Sequence, residues 1–227
     1  MKRVSIFLAL FVAACAIELL ALTLDWQLAH FVSKPLIMLS LIGYYLGRVS
    51  KRSLTFITAL YFCWVGDVLL LFQTKGEIFF ILGLVTFLIG HVLYILAYQQ
   101  FRWNDKKNEL IATQKIRFCF PIILAGTGLI VILYPLLGDL KIPVLVYAIV
   151  LMVMVMTALF RYGRTTVRSF WMVFGGAAIF MSSDFLLAIN KFYSPIYLSG
   201  LFIMLTYTTA QYLIVEGVLS HREEIQG

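Results

Sequence analysis

Charged residues are scarce in this 227-residue sequence, making up 13% of it against roughly a quarter in a soluble globular domain. Apolar residues make up 62%. This balance excludes an ordinary soluble domain and indicates an all-α, multi-pass membrane protein. Because a membrane helix needs about 20 apolar residues, we predict eight helices, at residues 3–24, 30–48, 54–72, 78–99, 116–135, 142–161, 170–190 and 195–219.

Residues with the spacing of common cofactor and metal sites are also missing. The three cysteines, Cys15, Cys63 and Cys119, lie in or beside apolar segments without any paired spacing, which is typical of packing residues. No H-x-x-x-H, C-x-x-C, P-loop, G-x-G-x-x-G or G-x-S-x-G pattern occurs. We therefore expect no metal and no cofactor.

The Lys and Arg residues that give the net charge of +7 lie mostly in alternate connectors between the predicted helices. Only Lys75, Lys141 and Lys191 lie in the opposite set of loops. This asymmetry follows the positive-inside rule and predicts cytoplasmic N- and C-termini rather than a nucleic-acid partner. The first apolar segment is too long for a signal peptide and is expected to be retained.

The predicted domain organisation is a single transmembrane helical domain covering residues 1–227. A polar, cytoplasmic connector at 101–115 separates halves at about 1–100 and 116–219. The third helix carries G-D-x-L-L-L and the seventh carries S-D-x-L-L-A, which suggests a parallel repeat of two four-helix halves.

Ionisable side chains inside the predicted helices are the first functional candidates, since burying charge in a membrane is costly. Asp67 and Asp184 each lie roughly 20 Å from the cytoplasmic end of their helix at 1.5 Å per residue, and Glu18 lies at nearly the same level. Lys34 is within side-chain reach of that level. His91 is expected nearer the cytoplasm.

Structural explanations compete with the functional one for each candidate. Hydroxyls such as those of Tyr61, Ser182 and Ser183 are potential partners of the two aspartates, and Glu18 and Lys34 are a potential ion pair. Helical spacing pairs polar side chains on the fourth and eighth helices. These residues are His91, Tyr94, Tyr207 and Gln211.

Two carboxyl groups in one desolvated pocket can share a proton, so that one acts as an acid and the other as a base. This pairing suits cleavage of an acid-labile ether: one group protonates the substrate, and the other stabilises the cation and then deprotonates water.

Five short motifs occur in order along predicted helices two to eight: K-P at 34–35, G-D-V-L-L at 66–70, F-x-x-G-H-x-x-Y at 87–94, S-D-F-L-L-A at 183–188 and T-Y-T-T-A-Q-Y-L-I at 206–214. Together they resemble the motifs of the YhhN-like family of membrane lysoplasmalogenases. The resemblance implies a cofactor-free hydrolase that converts lysoplasmalogen to a fatty aldehyde and glycerophosphoethanolamine or glycerophosphocholine. The family's two aspartates correspond to Asp67 and Asp184. The residues then expected to bind the lysophospholipid or support the site are Glu18, Lys34, His91, Tyr94, Ser183, Tyr207 and Gln211.

Two other functions remain open at this stage. A proton-coupled transporter also uses paired intramembrane carboxylates, although the five prolines lie near helix ends rather than in broken helices. A non-catalytic lipid-binding or sensor protein is the third possibility. Short loops without appended domains favour a bacterial inner-membrane protein.

Overall fold

The computed structural model describes residues 2–105 and 108–226, with side chains described for 4–105 and 108–221. Within these residues the chain forms eight α-helices and no strand, as predicted. The helices are α1 (Lys2–Thr23), α2 (Gln27–Arg48), α3 (Leu54–Leu70), α4 (Glu77–Gln100), α5 (Ala112–Leu133), α6 (Lys141–Leu159), α7 (Val167–Ala188) and α8 (Ser199–Gln226).

Seven of these helices are long and apolar enough to cross a membrane. The exception is α3, an apolar helix of 17 residues, which is shorter than the predicted third span. Its start is fixed by Ser53, whose side chain accepts a hydrogen bond from the Phe56 amide. Thr166 caps α7 in the same way, accepting from the Ser169 amide.

Short helical segments shape two of the connections in the second half of the chain. Two 3₁₀ turns, Tyr134–Leu136 and Gly138–Leu140, join α5 to α6, and a π-helical turn, Ile189–Tyr193, follows α7. Lys106 and Lys107 of the predicted connector lie outside the described residues.

The chain divides into two compact units, one ending at Ala97 and the other beginning at Tyr98. The first unit contains α1, α2, α3 and most of α4, and the second contains the last three residues of α4 together with α5–α8. The single-domain organisation and the internal repeat remain predictions.

Glycines allow close packing between helices in the first unit. A Cβ at Gly43 of α2 would lie 2.6 Å from the Phe7 ring of α1, and one at Gly66 of α3 would lie 2.6 Å from the Phe87 ring of α4. Without hydrophobic driving force inside a bilayer, such close contacts are a main source of helix association. Substituting either glycine would force the facing ring or its helix to shift.

Close packing at glycines also joins α7 to α8 in the second unit. A Cβ at Gly176 would lie 2.9 Å from the Ala210 carbonyl oxygen, and one at Gly217 would lie 2.6 Å from Val173. These two contacts set the register of the helix pair, so residues of α7 after Gly176 face residues of α8 before Ala210. Asp184 therefore belongs to the end of this pair where α7 finishes and α8 begins.

Candidate active site in the membrane helices

Asp67 is buried, with 3% of its surface exposed, near the end of α3. The preceding residue, Gly66, packs directly on Phe87 of α4. The close approach of the two helices removes the carboxyl from the lipid-facing surface. The predicted burial of this residue is confirmed.

The side chain of Lys34 is also buried and lies at nearly the same level as Asp67. The Phe31 and Phe72 rings are 5.6 Å apart between centroids, which aligns the start of α2 with the end of α3. Lys34 is three residues along α2 from this contact and Asp67 is five residues back, so their levels differ by about 3 Å at 1.5 Å per residue.

Glu18 is completely buried and holds two partners from α2. His30 Nδ1 lies 2.8 Å from its Oε1, and the Ser33 hydroxyl donates to Oε2 at 2.7 Å. The sequence suggested an ion pair between Glu18 and Lys34, and this prediction is wrong. Among the described side chains, at 4–105 and 108–221, no carboxylate pairs with the Lys34 ammonium.

His30 is the site residue that sequence reasoning missed in this unit. It was placed at the edge of the second predicted span, although α2 begins at Gln27 and includes it. The short turn after α1 was the sequence feature that could have identified His30. Glu18 and His30 lie at similar distances along the chain on either side of Asp25, which adopts a positive φ of 51°. A tight helical hairpin brings such positions together.

His91 and Tyr94 of α4 are both fully buried. A Cβ at the neighbouring Gly90 would lie 3.1 Å from Cys63 Sγ, which places His91 about one helical turn from the level of Asp67. The Tyr94 ring packs 5.8 Å from that of Phe56. Their expected role below the aspartate remains a prediction.

Asp184, in the second unit, is half-buried near the end of α7, and its carboxylate is hydrogen-bonded to a residue of α6. The Tyr147 hydroxyl donates to its Oδ2 at 2.7 Å. Sequence reasoning missed Tyr147 because it lies 37 residues away on another helix, in an apolar segment without a polar neighbour. This hydrogen bond orients the carboxylate toward α6.

The serine hydroxyls expected beside Asp184 are used elsewhere. Ser182 donates to the Ala178 carbonyl oxygen at 3.1 Å, and Ser183 donates to that of Ile203 at 3.0 Å. A hydroxyl has one proton to donate, so neither serine is the donor that holds Asp184. Tyr61, the third hydroxyl considered, is 50% exposed.

Tyr207 and Gln211 form a buried polar pair on α8. Gln211 Nε2 donates to the Tyr207 hydroxyl at 3.3 Å, and the Tyr207 ring lies 5.4 Å from that of Phe180 on α7. Phe180 precedes Asp184 by one helical turn. The pair therefore lies about one to two turns from Asp184, toward the N-terminal end of α7.

A second polar cluster surrounds Arg161, which is fully buried between the candidate spans of α6 and α7. Its Nε and Nη2 donate to the Phe101 carbonyl oxygen at 3.0 and 2.9 Å, and Nη2 also donates to the Ser169 hydroxyl at 2.8 Å. Burial lowers the pKa of Arg161 to about 10, so the side chain stays cationic near neutral pH. These hydrogen bonds hold Phe101, at the start of the connector, to Arg161 and through it to Ser169 of α7.

Within the described ranges, no group of three or more His, Cys, Asp and Glu side chains is arranged to hold a metal ion. The polar groups described above are carboxylates with hydroxyl, imidazole and amide neighbours. Such groups can donate, accept and transfer protons.

Comparison with known proteins identifies the family. The chain is 30% identical to lysoplasmalogenase TMEM86A of Bos taurus over 173 residues, 74% of this chain and 66% of that protein. It is 32% identical to lysoplasmalogenase TMEM86B of Homo sapiens over 156 residues, 68% of this chain and 59% of that protein. The matches thus span somewhat less than two thirds of either relative, and no solved structure matches.

The family assignment covers most of the chain and both candidate aspartates. Residues 29–218 match the sequence model of the YhhN family, a range that includes Asp67 and Asp184 and excludes Glu18. The sequence motifs that suggested this family lie inside the same range. The chain belongs to the YhhN family.

Proposed function

We propose that this protein is a membrane hydrolase that cleaves the vinyl-ether bond of a lysoplasmalogen. The observation that carries the proposal is the similarity, over 74% of the chain, to a protein named lysoplasmalogenase. Two aspartates in apolar helices supply groups suited to the reaction. We place the protein in a bacterial inner membrane with both termini in the cytoplasm.

The proposed reaction needs one proton donor and one proton acceptor. One carboxyl of the pair Asp67 and Asp184 protonates the β-carbon of the vinyl ether, which leaves an oxocarbenium ion at the α-carbon. The other carboxylate stabilises this cation and removes a proton from the water that attacks it. When the hemiacetal collapses, the carboxylate that gave up its proton in the first step takes the hydroxyl proton, and the other carboxyl returns its proton to the departing glycerol oxygen. The products are a fatty aldehyde and glycerophosphoethanolamine or glycerophosphocholine, one water is consumed, and both carboxyls return to their starting states.

Neighbouring residues orient the proposed carboxyl pair and its substrate. The Tyr147 hydroxyl fixes the Asp184 carboxylate through its 2.7 Å hydrogen bond. Lys34, buried at the level of Asp67 without a carboxylate partner in the described ranges, is suited to the substrate phosphate. Glu18 supports α2 near this position through its contacts with His30 and Ser33.

The remaining predicted residues have supporting roles in this proposal. In the first unit, the buried residues one to two helical turns from Asp67 are His91 and Tyr94. In the second unit, the buried residues one to two turns from Asp184 are Tyr207 and Gln211. Ser183 links α7 to the backbone of α8. We propose that these contacts keep each aspartate helix in position.

The test is aldehyde release by purified protein in detergent with lysoplasmalogen. The matched substrate control is the saturated ether analogue, which has no vinyl carbon to protonate and should yield no aldehyde. Aldehyde in proportion to protein supports the hydrolase. Its absence, together with proton-coupled substrate uptake into liposomes, would establish the transporter instead.

A further inference from the structure

A large apolar groove lies within the second unit, among α5, α6 and α7. Its volume is about 740 Å³, within the range of roughly 300–1,000 Å³ common for small-molecule sites. Apart from Gln114, Tyr162 and Ser182, its lining side chains are aliphatic or aromatic. We call this cavity the α5–α7 groove.

The groove follows one face of α7 for most of the helix. Phe170, Phe174, Ala178, Met181 and Phe185 line it at intervals of three or four residues, so they form a continuous stripe. From Phe170 to Phe185 this stripe is about 22 Å long at 1.5 Å per residue. One leaflet of a membrane is about 15 Å deep, so the groove is long enough for one lipid chain.

One end of the groove adjoins a candidate catalytic carboxyl. Phe185 directly follows Asp184 in the chain, and Met181 precedes it by about one turn. Asp184 is bonded to Tyr147 of α6, the helix that also contributes Val155 and Leu159 to the groove wall. Asp184 does not itself line the groove, but a long chain lying there would bring its near end to within about one helical turn of this carboxyl.

The groove is open to the surroundings of the helices, because exposed residues line both of its ends. Trp171 is 60% exposed and Phe118 is 45% exposed at the end near Phe170, and Ser182 is exposed at the end near Asp184. All three residues lie in candidate membrane spans, so a ligand can enter sideways from the lipid phase. An apolar, elongated site with such an opening suits an alkyl chain better than a polar solute.

We propose that the α5–α7 groove binds the alkenyl chain of the lysophospholipid, with the vinyl-ether end at Ser182 and Phe185 and the methyl end toward Phe170. This assignment rests on the proposed function for the identity of the chain. Holding the unreactive tail fixes the position of the reactive carbon, and enzymes use such remote binding to raise the rate of the chemical step.

Photocrosslinking tests the groove without requiring turnover. The probe is a saturated-ether lysophospholipid with a diazirine near the middle of its chain, irradiated with the intact protein in lipid nanodiscs. We expect adducts concentrated on the groove faces of α5 and α7, lost when excess unlabelled lysophospholipid is added. Adducts spread over all lipid-facing helices, or equal labelling by a diacyl phospholipid probe, would show ordinary bilayer contact and overturn the proposal.

Two adjacent residues of α5 provide a matched pair of variants. Ala125 lines the groove, whereas Leu124 is 58% exposed and does not line it. Ala125→Trp should fill the groove and abolish the concentrated adducts, and Leu124→Trp should retain them. In aldehyde release, Ala125→Trp should lower kcat/KM for a long-chain substrate roughly ten- to hundredfold relative to a short-chain one, the range over which apolar pockets discriminate chains.

The two experiments separate failure of the groove from failure of the proposed function. If wild-type protein releases no aldehyde but shows competed, groove-centred adducts, the hydrolase is wrong and the chain site stands. If wild-type protein releases aldehyde and Ala125→Trp retains both its adducts and its long-chain activity, the groove proposal is wrong and the hydrolase stands.

Discussion

The Tyr147 hydroxyl donates a 2.7 Å hydrogen bond to Oδ2 of Asp184, linking α6 to the carboxyl on α7. Tyr147 is itself buried, at 8% exposure. A buried donor on a carboxylate fixes the direction in which the second carboxyl oxygen points. We therefore propose Tyr147 as the residue that positions the Asp184 carboxylate.

Replacing Tyr147 by Phe should lower kcat roughly 10- to 100-fold, because hydrogen bonds to charged groups contribute about 1.5–3 kcal/mol. The matched control is Tyr193→Phe, since that tyrosine is 61% exposed. Activity is followed by aldehyde release across a pH series. A positioning role requires the pH profile to shift in Tyr147→Phe, and an unchanged profile with unchanged kcat contradicts it.

Asp67→Asn and Asp184→Asn should each reduce hydrolysis about 10²- to 10⁴-fold, the usual contribution of a general acid or base. The amide keeps the shape of the side chain but cannot exchange the catalytic proton. The double variant should be little slower than either single variant, since the groups act as a unit. Asp139→Asn, at an exposed position, is the control, and near-normal turnover in either variant would remove that aspartate from the mechanism.

The rate of the wild-type protein should show a bell-shaped dependence on pH. It falls at high pH as the acid of the pair loses its proton, and at low pH as the base gains one. The two limbs describe the pair and not individual residues. The measurement is kcat for aldehyde release from pH 4 to 10, and a rate that rises steadily across this range would count against carboxyl acid–base catalysis.

Lys34→Met should raise KM for lysoplasmalogen about tenfold or more, because a charge-assisted contact with the phosphate is lost. The same variant should leave KM unchanged for an alkenyl glycerol that lacks the phosphate. Lys75→Met, at an exposed position in the same unit, is the control. If Lys34→Met weakens both substrates equally, the lysine acts on the fold rather than on the phosphate.

Arg161→Met should destabilise the protein by about 2 kcal/mol or more, since buried hydrogen-bond acceptors lose their donor. The acceptors are the Phe101 carbonyl oxygen and the Ser169 hydroxyl. The midpoint of thermal unfolding in detergent should fall relative to wild type and to the control Arg168→Met, whose side chain is exposed. Equal midpoints for the two variants would show that the Arg161 contacts are not stabilising.

The order and number of the helices could be predicted from the sequence because apolar segments of membrane length allow no other backbone structure. The sequence also predicted that Asp67 and Asp184 avoid the lipid, because a carboxylate exposed there is costly. In the structure Asp67 is buried and Asp184 is half-buried. The eight helices of the described residues, seven of them long and apolar enough to cross a membrane, confirm the predicted helical fold. The match to the YhhN family model confirms the predicted family. The shared cavity of the two aspartates remains a prediction.

The partners of the buried polar groups were decided only by the tertiary structure. Helical periodicity gives the face on which a residue lies, but it does not give the rotation of the neighbouring helix that meets this face. Glu18 therefore contacts His30 and Ser33 and not Lys34. Asp184 likewise accepts a hydrogen bond from Tyr147 and not from the adjacent serines. Packing at Gly43 and Gly176 fixes the approach of α1 to α2 and of α7 to α8. The sequence determined which groups must be buried, and the packing of the helices determined which of them meet.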